Sequence, residues 1–166
     1  MLFRSCTKIS MTRILRTTRE YDGNRYHLIR DCVQHQRPFA IYNFTSAKQY
    51  DQFLSDLDSF GKLNYCVQTI TSLSEAHKRI RMVYPSIFVT NEGTDVKLDD
   101  FKKIIKGSID HYKLDSIVCL YDGTVSVFYK NGQHHSIGNT IYSSNQMNEF
   151  NSDFYQVEST YYTFIP

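Results

Sequence analysis

The residues of this sequence best suited to acid-base chemistry are its six histidines, because an unperturbed imidazole has a pKa of about 6.5. None of them lies in a recognisable catalytic motif. His134 and His135 follow an Asn-Gly turn and are typical of a solvated loop pair. His111 and Lys113 lie just beyond the predicted end of a helix, where they could contact a phosphate or simply complement the helix dipole.

The candidate nucleophiles and metal ligands also lie outside any recognisable catalytic or metal-binding motif. The four cysteines are far apart, with no C-x-x-C pair and no nearby histidine, which predicts reduced thiols and neither a zinc site nor a disulfide framework. Asp99 and Asp100 open a predicted helix, where carboxylates are ordinary dipole stabilisers. Phosphate-binding loops, dinucleotide fingerprints and hydrolase or zincin motifs are absent from the sequence. We therefore expect no cofactor, no metal and no self-contained catalytic centre.

Composition limits the class of protein. A chain of 166 residues with 13 Tyr and 11 Phe can build one compact core. The net charge of +2 is too even to indicate a nucleic-acid partner by itself. Residues 1–40 nevertheless carry eight basic and three acidic side chains, and residues 1–19 carry no acid. That segment is typical of a disordered basic arm or of a mitochondrial transit peptide. No stretch is apolar enough for a spanning helix, which predicts a soluble intracellular protein.

Apolar spacing predicts the elements that would position these side chains. A helix is expected from 47 to 60, a strand from 63 to 70, a strand from 80 to 89 and a helix from 98 that ends at Gly107. Pro85 would remove a ladder hydrogen bond, so the strand around it is expected to be bulged, broken or at a sheet edge. The predicted fold class is α/β (α+β), with a mixed β-sheet flanked by helices.

The clearest local signal is a hairpin. Residues 116–121 form an apolar strand, Asp122 and Gly123 form a favoured two-residue turn, and residues 124–130 return. Val125, Val127 and Tyr129 lie in one row on the return strand, and this row needs a cover from the protein's own helices or from a partner. Three parts are predicted: a basic arm at 1–23, a single domain at 24–135, and a mobile Ser/Asn/Tyr-rich tail at 136–166 with a last strand at 160–165.

These elements resemble those of the small, non-catalytic subunit of the eukaryotic tRNA-splicing endonuclease, the Sen-fifteen type. The resemblance covers residues 47–133. It includes the amphipathic helix with Phe53 and Leu57, the strand leading to Val83-Tyr84-Pro85, the helix from Leu98, and the hairpin of residues 116–130.

The resemblance implies a fold similar to the restriction-endonuclease-like C-terminal domain of tRNA intron endonucleases. It also implies that Asp122 and Gly123 enter a partner subunit, and that Val125, Val127 and Tyr129 line a subunit interface. In isolation the same row could pair two copies of the chain. Lys113 lies near the position of the catalytic lysine in the related active subunits, whose other signatures this sequence lacks. His111, Lys113, Arg13 and Arg16 are the candidate contacts to RNA.

The predicted function is therefore that of a non-catalytic subunit of a tRNA-splicing endonuclease. It would support the removal of introns from precursor tRNA by catalytic and structural partner subunits, in the nucleus or cytoplasm. Two alternatives remain open. One is a metal-independent ribonuclease that uses His111, Lys113 or His135, and the other is an unrelated mitochondrial protein-binding module.

Overall fold

The structure is a computed structural model that describes residues 20–60, 63–74, 76–77 and 79–166. Its elements in chain order are α1 (Arg25–Gln34), β1 (Phe39–Asn43), α2 (Ala47–Phe60), β2 (Asn64–Ser74), β3 (Arg79–Thr90), α3 (Leu98–His111), β4 (Ser116–Tyr121), β5 (Thr124–Tyr129), β6 (His134–Gly138), β7 (Thr140–Ser144), a single 3-10 turn (Met147–Glu149), β8 (Phe154–Val157) and β9 (Thr160–Ile165). The described chain is thus mixed α+β, as predicted.

The nine strands of the described residues belong to one curled sheet, with the order β6-β5-β4-β1-β3-β2-β8-β9-β7. The predicted mixed sheet was wrong, because every pair of neighbouring strands is antiparallel. The strands at its two ends, β6 and β7, are separated in the chain by Asn139 alone. One short segment therefore pairs with β5 through β6 and with β9 through β7. Because a single residue links these pairings, the sheet must curl until its two ends meet.

The two faces of the curled sheet build two separate cores, because successive side chains of a strand point to opposite faces. On β1, Ile41 joins the inner core and Tyr42 joins the outer core. The inner core holds the buried face of α1 and aromatic residues of β8 and β9. The outer core is covered by α2 and α3, through residues such as Phe53 and Phe101.

A chain of buried hydrogen bonds crosses the sheet. The Tyr162 hydroxyl donates to Gln68 Oε1 at 2.6 Å, Gln68 Nε2 donates to Ser86 Oγ at 3.3 Å, and Ser86 Oγ donates to Asn43 Oδ1 at 2.9 Å. Tyr162, Gln68 and Ser86 are buried. This chain gives partners to polar groups that would otherwise be costly to bury.

The prediction of a mobile tail at 136–166 was wrong, although its last strand at 160–165 is confirmed as β9. Residues 136–166 contain β7, β8, β9 and the end of β6, and Phe154, Tyr162 and Phe164 are buried in the fold. The Ser- and Asn-rich composition suggested mobility because the polar residues dominate the count. Tyr162 and Phe164 nevertheless pack in the inner core, and Phe154 stacks on Phe150, which makes this part integral to the fold.

Three of the cysteines lie in the described part of the chain. Cys32, Cys66 and Cys119 are free thiols, and the first two are buried. Burial raises the pKa of the Cys32 thiol to about 11 and that of Cys66 to about 12. Within the part of the chain that the structure describes, no helix is both long and apolar enough to cross a membrane.

Candidate docking site

One half of β3 has a ladder partner on one side only. β2 pairs with β3 from Arg79 to Thr90, whereas β1 pairs with β3 only from Ser86 to Thr90. Among the described residues, no strand pairs with the β1 side of Arg79–Tyr84. We refer to Arg79–Tyr84 as the open edge.

Pro85 marks the place where β3 loses its second partner. Its carbonyl oxygen accepts a hydrogen bond from the Phe44 backbone N–H at 3.1 Å, so the backbone groups of Pro85 point toward the β1 side. Pairing on this side ends at Pro85, whose missing N–H leaves no donor toward the β1 side. Of the predicted alternatives, the strand is bulged, because the β2–β3 register shifts between Ser72 and Leu73 and leaves Arg81 without a partner on β2. The strand runs through Pro85 unbroken and lies between β1 and β2 in the sheet.

Backbone groups of the open edge point outward as well. In an antiparallel ladder the direction of the N–H and C=O groups alternates from residue to residue, so Val83 shares the outward direction of Pro85. Thr71 lies opposite Val83 on β2. The N–H and C=O groups of these two residues point away from each other, so Val83 forms no ladder bond with Thr71. Val83 therefore presents a main-chain donor and a main-chain acceptor at the open edge, which is the arrangement that strand addition uses.

Three apolar side chains of the open edge are exposed, and they lie on both faces of the sheet. Ile80, Met82 and Val83 have exposed fractions of 51%, 47% and 55%. Alternation places Met82 and Val83 on opposite faces. The Tyr84 hydroxyl contacts the Met82 sulfur at 2.8 Å, and Met82 stays exposed despite this contact. An exposed apolar strand of this kind is a candidate docking surface.

A pocket of about 240 Å³ lies where the open edge meets the end of β1. The chain that leaves β1 at Phe44, the side chain of Tyr84 on β3 and the α3–β4 connection at Lys113 all line it. Asp115 and Asp153 contribute carboxylates to the same pocket. The pocket therefore adjoins the Tyr84 end of the open edge.

Lys113 reaches the pocket from an unusual backbone conformation. Its φ of 56° lies in the left-handed region that favours glycine. The Lys113 N–H donates to Asp110 O and the Leu114 N–H donates to Ile109 O, which is the Schellman pattern that closes a helix. The predicted helix end at Gly107 was wrong, because exposed Gly107 continues the helix and Lys113 supplies the left-handed residue.

His111 points to a different group of side chains. Its Nε2 lies 3.9 Å from Asp56 Oδ2, and its ring contacts Tyr112 edge-on at 4.6 Å between centroids. The Tyr112 hydroxyl donates a hydrogen bond to the same Asp56 carboxylate. Burial, followed by this hydrogen bond and the Asp56 charge, raises the pKa of Tyr112. The structure therefore does not bring the two predicted RNA contacts, His111 and Lys113, to one site.

The predicted interface hairpin forms, but most of its apolar row lies inside the protein. Asp122 and Gly123 have φ values of 51° and 78°, which confirms the predicted two-residue turn. Val125 is fully buried in the inner core, and half-buried Val127 packs against that core. The protein's own core thus covers Val125 and packs against Val127. The argument that these two side chains need a partner subunit to cover them therefore no longer holds.

Tyr129 is the member of the row that stays accessible, with an exposed fraction of 37%. Its hydroxyl lies 3.2 Å from His135 Nδ1. On the other face, Phe128 stacks on His134 at 5.0 Å between ring centroids. The other two predicted RNA contacts, Arg13 and Arg16, lie outside the described residues.

Sequence reasoning did not select the open edge as a site. The signals were Pro85, which argued for an edge, and the apolar residues Ile80, Met82 and Val83 interleaved with arginines. Exposure on both faces could not be predicted, because it depends on β1 ending opposite Ser86.

No protein-family model matches the chain, and the comparisons with curated proteins and with solved structures found no match. The resemblance to the tRNA-splicing subunit therefore depends on the residues quoted for it.

Proposed function

We propose that the chain is a non-catalytic subunit of a larger assembly and that it docks by adding a partner's strand to the open edge. The observation that carries this proposal is the outer half of β3, which combines outward backbone groups with three exposed apolar side chains. Main-chain pairing would supply affinity, and the flanking side chains would supply selectivity.

The assembly that we propose is a tRNA-splicing endonuclease. The order of elements from α2 to β5, which is helix, two strands, helix and hairpin, agrees with the order that the resemblance implied. The tight Asp122-Gly123 turn at the tip of the hairpin supports the same proposal. In this assembly the chain would support partner subunits that cut precursor tRNA.

Burial of Val125 changes which surface the proposal uses. A partner cannot cover a side chain that the inner core already encloses without unfolding part of that core. Docking is therefore assigned to the open edge, together with the exposed turn residue Asp122 and the accessible Tyr129.

The test is co-purification followed by an activity assay. The tagged chain would be isolated from its native source with its partners, and the material would be assayed for excision of introns from precursor tRNA. We expect excision activity with the unchanged chain. We expect it to be lost from the purified material with Val83→Pro, because proline removes the outward N–H of Val83 and no β2–β3 ladder bond.

Val83→Thr is the matched control, because threonine keeps the N–H, the branched shape and the strand propensity. Thermal unfolding of both variants would verify that they fold. Material that lacks excision activity would overturn the splicing assignment, and association that survives Val83→Pro would overturn the open edge as its docking site. Excision by the purified chain alone would instead establish the ribonuclease alternative.

A further inference from the structure

The charges along the open edge indicate what kind of strand it takes, given the docking proposed above. Arg79 and Arg81 alternate with the apolar side chains of this segment. Among the described residues, neither arginine makes an ion pair, and Arg81 Nη2 donates only to Ser72 Oγ at 3.2 Å. We propose that the open edge binds an extended acidic segment of a partner protein, whose carboxylates pair with Arg79 and Arg81.

The chain's own segments and a second copy fit this edge less well. Residues 1–19 contain five basic side chains and no acidic one, so they would repel the two arginines. Two copies paired through their open edges would place no carboxylate beside Arg79 or Arg81, because residues 79–84 contain no acidic side chain. An acidic segment of a different protein complements the edge.

The direction of the added strand follows from β1. A strand that continues β1 beyond Ser86 runs antiparallel to β3, so its first residues lie at the pocket beside Tyr84 and its last residues lie beside Arg79. Arg81 and Arg79 lie beside the second half of the bound segment, whereas Lys113 lines the pocket at its start together with Asp115 and Asp153. The acidic residues therefore belong in the C-terminal half of the bound segment.

The same features favour a peptide over a nucleic acid. Single-stranded RNA is held mainly by aromatic stacking and by cationic grooves. The open edge instead offers aliphatic side chains and outward backbone groups, which suit the addition of a peptide strand.

The test uses two fluorescently labelled ten-residue peptides and measures binding by fluorescence anisotropy. The acidic probe alternates valine with threonine in its N-terminal half and valine with glutamate in its C-terminal half. The basic probe replaces each glutamate with lysine. We expect the acidic probe to bind at least about tenfold more tightly, because each ion pair becomes a repulsion in the basic probe.

A charge-reversal variant makes the test specific. In the variant Arg79→Glu with Arg81→Glu the preference should reverse, so that the basic probe binds more tightly. Val83→Pro should weaken the acidic probe by at least about tenfold, and Val83→Thr should not, since only the proline removes the main-chain donor. A third probe, a ten-nucleotide single-stranded RNA, should bind more weakly than the acidic peptide.

Three results would overturn the inference. These are a peptide preference that does not change with the double arginine variant, tighter binding of the RNA, and binding of neither peptide. The last result would identify Arg79 and Arg81 as charges that protect the edge from pairing. If partner capture still depended on Val83 in that case, the docking proposal would stand and only the acidic segment would be wrong.

Discussion

Gly138 lies directly against the backbone of Ile165: a β-carbon at position 138 would be 2.1 Å from the Ile165 carbonyl oxygen. The contact lies where the two ends of the sheet meet, and backbone cannot move aside as a flexible side chain can. We expect Gly138→Ala to lower the free energy of unfolding by about 3 kcal/mol, the upper range for an overpacked site. Urea unfolding followed by circular dichroism would measure the change.

Gly107→Ala provides the control for that substitution. A β-carbon at Gly107 meets nothing within 4 Å, and the residue is exposed inside α3. Alanine should raise the free energy of unfolding by about 1 kcal/mol, because glycine is a poor helix former. Equal effects of the two substitutions would contradict the proposed closure of the sheet at Gly138.

Tyr162→Phe tests the buried hydrogen-bond chain. The variant would leave Gln68 Oε1 without the hydroxyl that now donates to it, and an unpaired buried acceptor costs about 1–3 kcal/mol. Tyr142→Phe removes a similar bond to Glu149 at an exposed position and should change stability by less than about 0.5 kcal/mol. Thermal denaturation of both variants compares the two sites, and a loss no greater at Tyr162 would show that its bond adds nothing.

Lys113→Gly should stabilise the protein, because glycine adopts the left-handed conformation of this position without strain. The expected gain is about 0.5–1 kcal/mol, less than the full cost of a left-handed L-residue because glycine also loses more chain entropy on folding. Lys113→Ala removes the same charge but keeps the strained backbone. Unfolding of the three proteins in urea separates the contributions, and a gain with alanine equal to that with glycine would assign the effect to charge.

Alkaline pH should destabilise the protein through its buried thiols. The unfolded chain releases the Cys32 and Cys66 protons near pH 9, whereas burial raises the folded pKa of these thiols to about 11 and about 12. The folded state thus holds more protons above pH 9, and the free energy of unfolding falls as pH rises. The slope is up to about 1.4 kcal/mol per pH unit for each thiol.

Below pH 9 both states keep these protons, so the two thiols contribute no pH dependence there. Urea unfolding between pH 8 and pH 11 checks the slope. Cys66→Ala should flatten it by the contribution of one thiol, whatever its effect on stability at pH 8. An unchanged slope in this variant would show that Cys66 is not buried as the structure has it.

Charged substitutions distinguish the inner core from the surface of the hairpin. Val125→Asp should prevent folding, because an unpaired buried carboxylate costs several kcal/mol. Tyr129→Asp should leave a folded protein, since that side chain is accessible. Size-exclusion chromatography and circular dichroism of both variants would check this, and a folded Val125→Asp protein would mean that the row faces solvent after all.

Local elements could be predicted from the sequence where their own residues determine them. The helix from Leu98 follows from its apolar face and its acidic first turn, and the β4–β5 hairpin follows from the Asp122-Gly123 pair. Both depend on contacts between residues that are close in the chain.

The curled sheet could not be predicted, because it depends on pairings between distant residues. Tyr155 lies opposite Ile70, and no local pattern in either segment indicates the other. The sequence therefore did not indicate where the aromatic residues of the last strands pack. The same limit explains the error at Val125, whose apolar row is covered by elements at both ends of the domain.

Only one feature of the candidate docking site could be predicted from the sequence, namely its proline. Pro85 argued for an edge because of its missing N–H, which is a local property. The exposure of Val83 depends on where β1 stops, and the pocket at Lys113 depends on where α3 ends.

Asn139 is the single residue between β6 and β7, and the strands that follow it, β8 and β9, are translated last among the elements of the inner core. As the chain leaves the ribosome, β1 to β5 emerge before Tyr155, Tyr162 and Phe164 exist to fill the space around α1. The nascent protein must hold this apolar surface uncovered until β9 has been translated, and such surfaces recruit chaperones. Folding of this domain is therefore completed only after β9 has been translated.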